Sequence, residues 1–101
     1  MFLSVIFLSL IYNNSLAAAE KKGNLKITLQ GRNSATVFEL LKESHEVEYK
    51  TYDTGVFVTA IDGIPNTAST YWTYLVNGKK VPVSADKATV SEGDKIEWIF
   101  K

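Results

Sequence analysis

The chain has 101 residues, of which 46% are hydrophobic and 22% charged, the composition of one small folded domain rather than of a disordered segment. Eleven Lys and Arg balance eleven Asp and Glu, so no net field favours nucleic acid or an anionic membrane surface as a partner. With no cysteine and a single histidine, a disulfide framework, a lipidated-cysteine anchor and a thiolate metal site are excluded, and a zinc site lacks its usual ligand set.

Residues 1–19 read as a signal peptide. Residues 2–12 form an apolar run well short of the ~20 residues needed to span a bilayer, and Ala17-Ala18-Ala19 supplies the small residues that a signal peptidase reads. No Lys or Arg precedes the run, and a retained N-terminal anchor is the alternative. Cleavage before Glu20 predicts a secreted or cell-surface protein with no stable membrane span. Residues 20–24 are a polar lead-in, and residues 25–101 form the domain.

Leu25, Ile27 and Leu29 alternate with Lys26, Thr28 and Gln30, the pattern of a half-buried strand ended by Gly31-Arg32-Asn33. The period then changes. Thr36 followed by Glu39 reads as a capping box ahead of the apolar stripe Val37, Leu40 and Leu41, which predicts one helix of two to three turns. Residues 46–52 form a strand with Val47, Tyr49 and Thr51 opposite the solvated Glu48, Lys50 and Tyr52. Asp53-Thr54-Gly55 turns into the β-branched run 56–61, apolar on both faces as a central strand is, and residues 62–66 form a loop by their Asp-Gly and Pro content.

The last third carries the densest signal. Trp72, Tyr74 and Val76 share one face of a strand and Tyr71, Thr73 and Leu75 the other, because strand side chains alternate with a period of two. Asn77-Gly78 then supplies the two positive-φ positions of a type I′ turn, so residues 79–83 return as a partner strand. Pro82 lacks an amide donor and confines that strand to a sheet edge. After Gly93-Asp94, a final strand sets Ile96, Trp98 and Phe100 inward and Lys95, Glu97 and Lys101 outward. The resulting fold class is α+β, a small β-grasp-like domain with one short helix packed on a mixed or antiparallel sheet.

Catalytic patterns are missing. His45 follows the helix, where a cation complements the C-terminal dipole, and it has no spaced acid and nucleophile to complete a triad. The acidic residues fall at caps, turns and solvent faces, and Asp62-Gly63 and Glu92-Gly93-Asp94 fit turn chemistry better than a calcium loop. The domain is therefore read as a non-enzyme. The aromatic residues exceed what so small a core needs, and both faces of the strand carrying Tyr71, Trp72 and Tyr74 are aromatic although one alone can face the helix. These three are the candidate ligand-binding residues, suited to a flat or amphipathic molecule.

Gly55-Val56-Phe57-Val58-Thr59-Ala60-Ile61-Asp62-Gly63-Ile64, then Tyr71-Trp72-Thr73-Tyr74-Leu75-Val76-Asn77-Gly78-Lys79, then Gly93-Asp94-Lys95-Ile96-Glu97-Trp98 together resemble the transcobalamin-like C-terminal domain family, from about Leu25 to Lys101. These domains are similar to the last domain of the cobalamin carriers transcobalamin and intrinsic factor, which closes over a cobalamin held by a larger helical domain. The resemblance implies an exported, non-catalytic domain that binds cobalamin or another corrinoid together with a partner domain. It places the ligand against Tyr71, Trp72 and Tyr74 and the loops at 61–69 and 82–88. No cofactor is firmly implied, cobalamin being a candidate ligand. The competing expectation is a surface adhesion or protein-interaction module whose partner is a larger extracellular protein.

Overall fold

The computed structural model describes residues 25–101; the signal peptide expected at 1–19 and the lead-in expected at 20–24 lie outside the described residues. The domain is α+β. It contains one helix, α1 (Val37–Ser44), and the strands β1 (Lys26–Gln30), β2 (Val47–Tyr52), β3 (Gly55–Ile61), β4 (Ile64–Pro65), β5 (Trp72–Val76), β6 (Lys79–Lys80) and β7 (Lys95–Phe100). Among the described residues no helix is long and apolar enough to cross a membrane.

The capping box at the start of α1 is formed. The Thr36 amide donates to Glu39 Oε1 at 2.8 Å and the Glu39 amide to Thr36 Oγ1 at 3.1 Å, so two amides that the helix leaves free are satisfied locally. Val37, Phe38, Leu40 and Leu41 are buried on one side of the helix. They share a core with Ile96, Trp98 and Phe100 of β7, Trp72 of β5, and Val58 and Ile61 of β3. Full burial of one such side chain stabilises the fold by about 1.5 to 3 kcal/mol.

The strands form two antiparallel sheets where the sequence suggested one. One sheet has the order β1-β7-β5-β6 and the other β2-β3-β4. In the first, register sets Trp72 opposite Phe100 and Tyr74 opposite Trp98, and the rings stack across the strands at centroid distances of 5.1 and 5.3 Å. The outer face of β7 departs from the expected solvated one. Glu97 is only 8% exposed, because β7 is flanked by β1 and β5, and its carboxylate is held by the ammonium groups of Lys26 at 3.2 Å and Lys95 at 3.8 Å.

Strict alternation also fails in β3. Glu48 faces Ala60 but Tyr49 faces Val58, so Thr59 has no counterpart and the pairing bulges there. The expected loop after β3 is a hairpin, with Asp62 at φ 51° and Gly63 at φ 80° turning the chain into β4. Pro65 is tolerated because β4 is an edge strand. His45 caps α1 and its Nδ1 lies 2.6 Å from Asp62 Oδ2, which ties the helix end to this turn.

Asn77 at φ 52° and Gly78 at φ 80° form the expected turn between β5 and β6. Asn77 Nδ2 donates to Asp94 Oδ1 at 2.9 Å and the Lys95 amide donates to Asn77 Oδ1 at 2.9 Å. The Asn77 bond is the main reason the Asp94 carboxyl is held below the usual carboxylate range. A side chain at Gly78 would meet open space, so only backbone strain opposes it. Gly78→Val is expected to cost on the order of 1 kcal/mol or more; equal urea midpoints for variant and parent would contradict this.

Candidate functional site

Between β3 and β5 lies an open cleft of about 680 Å³, within the range of small-molecule sites. Its origin is topological. β4 pairs with β3 only at Ala60 and Ile61, and β6 pairs with β5 only at Leu75 and Val76. The stretches Gly55 to Val58 and Trp72 to Tyr74 therefore each have, among the described residues, one edge with no neighbouring strand. Consecutive residues of both stretches line the cleft, so it reaches the open strand edges as well as the inner face of the larger sheet.

Two side-chain devices hold these edges apart and satisfied. The Asn66 carboxamide accepts from the Trp72 amide at 2.9 Å and donates to the Val58 carbonyl at 3.0 Å, standing where a peptide group of an intervening strand would stand. The second device is the loop after β6. Asp86 Oδ1 accepts from the Val56 amide at 3.0 Å and from Ser84 Oγ at 2.7 Å, while the Tyr74 hydroxyl donates to the Val83 carbonyl. Gly55 makes this docking sterically feasible. At φ +133°, a Cβ there would lie 1.9 Å from Ser84 Oγ and 2.8 Å from Asp86 Oδ1.

The same contacts set the titration of the nearby groups. The Asp86 carboxyl is held below the usual carboxylate range, first by the Ser84 hydroxyl and then by the Val56 amide. Burial, with the Asp86 charge adding to it, pushes the Tyr74 phenol up, so it remains a protonated donor at neutral pH.

Aromatic rings make much of the wall. Trp72, Tyr74 and Trp98 contribute from the inner face of the larger sheet, and Tyr52 and Phe57 from the smaller one. Trp98 is 2% exposed, while Tyr52 and Phe57 are 55% and 46% exposed. The Trp72 indole donates to the Ile64 carbonyl at 2.8 Å. That of Trp98 is buried without a hydrogen-bond partner.

Of the residues singled out from sequence, Trp72 and Tyr74 line this cleft and Tyr71 does not. Tyr71 sits one residue before β5, with its backbone paired to Lys101 and its hydroxyl donating to the Ala68 carbonyl at 3.1 Å. Sequence reasoning did not single out Tyr52 and Phe57 as ligand-binding residues, but the loops that the resemblance implicated, 61–69 and 82–88, contain Asn66 and residues 84–86. Tyr52 and Phe57 did stand out as surplus aromatics, whereas nothing local marks Asn66 as a bridge between sheets. No His, Cys, Asp or Glu lines the cleft, and among the described residues no three of these types gather as a metal-binding group.

Fold and cleft together define a small α+β domain with an aromatic-walled groove between two sheets. Residues 34–101 match the model of the family described as "Domain of unknown function (DUF4430)", and the chain belongs to that family. No curated protein matches the sequence. The fold is similar to that of a "putative metal binding protein" from Ruminococcus gnavus ATCC 29149, with a TM-score of 0.63 at 23% identity over 77% of this chain and 95% of the other.

Proposed function

We propose that this is an exported, non-catalytic ligand-binding domain whose cleft receives a flat, amphipathic molecule, with cobalamin or another corrinoid as the leading candidate. The observation that carries this reading is the cleft itself. It is large enough for a ligand, it is walled by aromatic rings, and no imidazole, thiol or carboxylate lines it. The sequence resemblance to transcobalamin-like C-terminal domains, and with it a β-grasp-like arrangement, supports the corrinoid and supports a site on the strand that carries Trp72 and Tyr74. Because the cleft is open, the domain covers part of its ligand and a second body covers the remainder.

A protein-interaction role is the alternative, favoured by the exposure of Tyr52, Phe57 and Val83 near the groove. Cobalamin titration separates the two. Both tryptophans of the protein line the cleft, so a corrinoid seated there should quench intrinsic fluorescence saturably, change its own visible absorbance and raise the thermal midpoint. Phe57→Ala should weaken binding by about tenfold, the loss typical of a contact aromatic, while the midpoint of the free protein stays within ~0.5 kcal/mol of the parent, as for other exposed positions. Unchanged fluorescence and midpoint at saturating cobalamin would remove the corrinoid.

A further inference from the structure

The polar groups of the cleft are unequal in kind. The Tyr74 hydroxyl proton is committed to the Val83 carbonyl, and Ser84 Oγ is bonded to Asp86 and to the Thr54 carbonyl. The hydroxyls of Tyr52, Thr54 and Thr73 also line the cleft, and Lys80 is the one charged residue that does so. Among the described residues Lys80 enters no ion pair, in contrast to Lys26 and Lys95 on the outer sheet face. Asp86 does not line the cleft, and its carboxylate is occupied by Val56 and Ser84. An apolar groove whose one lining charge is an unpaired cation favours an anion, which gains a counter-ion at Lys80.

Resting on the reading of this cleft as a ligand site, we infer that it selects amphipathic anions, in which a planar apolar body lies between β3 and β5 and an oxyanion such as a carboxylate, sulfonate or phosphate reaches Lys80. Lys80 is thus a specificity-determining residue. It sits on the short edge strand β6, exposed to solvent, so its contribution is that of a partly screened pair and falls as salt rises.

Two fluorescent probes with the same aromatic skeleton test this directly: 8-anilino-1-naphthalenesulfonate carries a sulfonate that N-phenyl-1-naphthylamine lacks. The mature protein should bind the sulfonate more tightly by about two- to fivefold at low ionic strength, with the advantage shrinking on addition of salt. Lys80→Gln should abolish the advantage and leave affinity for the uncharged probe unchanged, Lys80→Arg should retain it, and Lys79→Gln, which removes a neighbouring charge outside the cleft, should have no effect. Equal affinity for the two probes in the parent, or an advantage that survives Lys80→Gln, overturns the inference while leaving the ligand-site reading intact. If neither probe binds, and cobalamin leaves fluorescence unchanged, both readings fail.

Discussion

Replacing Gly55 with alanine should destabilise the domain by about 2 to 3 kcal/mol and deform the cleft. Two effects act together. The residue occupies φ +133°, where a side chain is strained by of order 1 to 3 kcal/mol, and the added methyl would lie 1.9 Å from Ser84 Oγ and 2.8 Å from Asp86 Oδ1. The loop must withdraw, and with it go the Ser84 and Asp86 contacts and the acceptor of the Val56 amide. Gly93→Ala is the internal comparison, because Gly93 has φ +92° but open space around it. Urea unfolding of the two variants should show the larger loss at Gly55. Equal losses would mean that backbone strain alone operates and that the loop is not docked on β3 as described.

Asn66→Ala is the second large effect, expected at about 2 kcal/mol or more. Its carboxamide satisfies one amide and one carbonyl on two different strands, and a polar group left without a partner costs about 1 to 3 kcal/mol when water cannot replace the bond. Asn66→Asp discriminates mechanism from mere bulk. The carboxylate can still accept from the Trp72 amide, but it cannot donate to the Val58 carbonyl and sets a negative charge against it. If the bridge is the stabilising feature, the aspartate variant should approach the alanine variant in thermal midpoint. An aspartate as stable as the parent would show that the bond to Val58 contributes nothing. Since Trp72 adjoins this bridge, its fluorescence should shift in both variants.

The cleft depends on these two devices more than on the aromatic strand alone. Trp72, Tyr74 and Trp98 are also core residues or their near neighbours, and the rings would stack across β5 and β7 whether or not a groove existed beside them. What makes a groove is the separation of the unpaired edges of β3 and β5, bridged at one point by Asn66 and covered at another by the Ser84 to Asp86 loop. A groove of this kind is preformed, so little ordering cost would fall on a ligand bound there.

Several parts of this protein were legible in the amino-acid sequence because they depend on neighbours a few residues apart. The capping box needs only Thr36 and Glu39, the β5–β6 turn only Asn77 and Gly78, and the inward faces of β5 and β7 follow from a period of two. The absence of cysteine likewise set aside disulfides and thiolate ligands before any coordinates. The division of the strands into two sheets was decided elsewhere, by where β4 and β6 stop pairing, and a bulge at Thr59 breaks the alternation in β3. Burial of Glu97 depends on the central position of β7, which periodicity does not reveal. The cleft is likewise a tertiary product. The Val56 amide meets Asp86 across 30 residues of chain, and Gly55 is demanded by Ser84 as well as by its own positive φ. Local rules read propensity and alternation, whereas a gap between sheets is set by long-range packing, and it left Tyr71 outside the groove while bringing Tyr52, Phe57 and Lys80 to it.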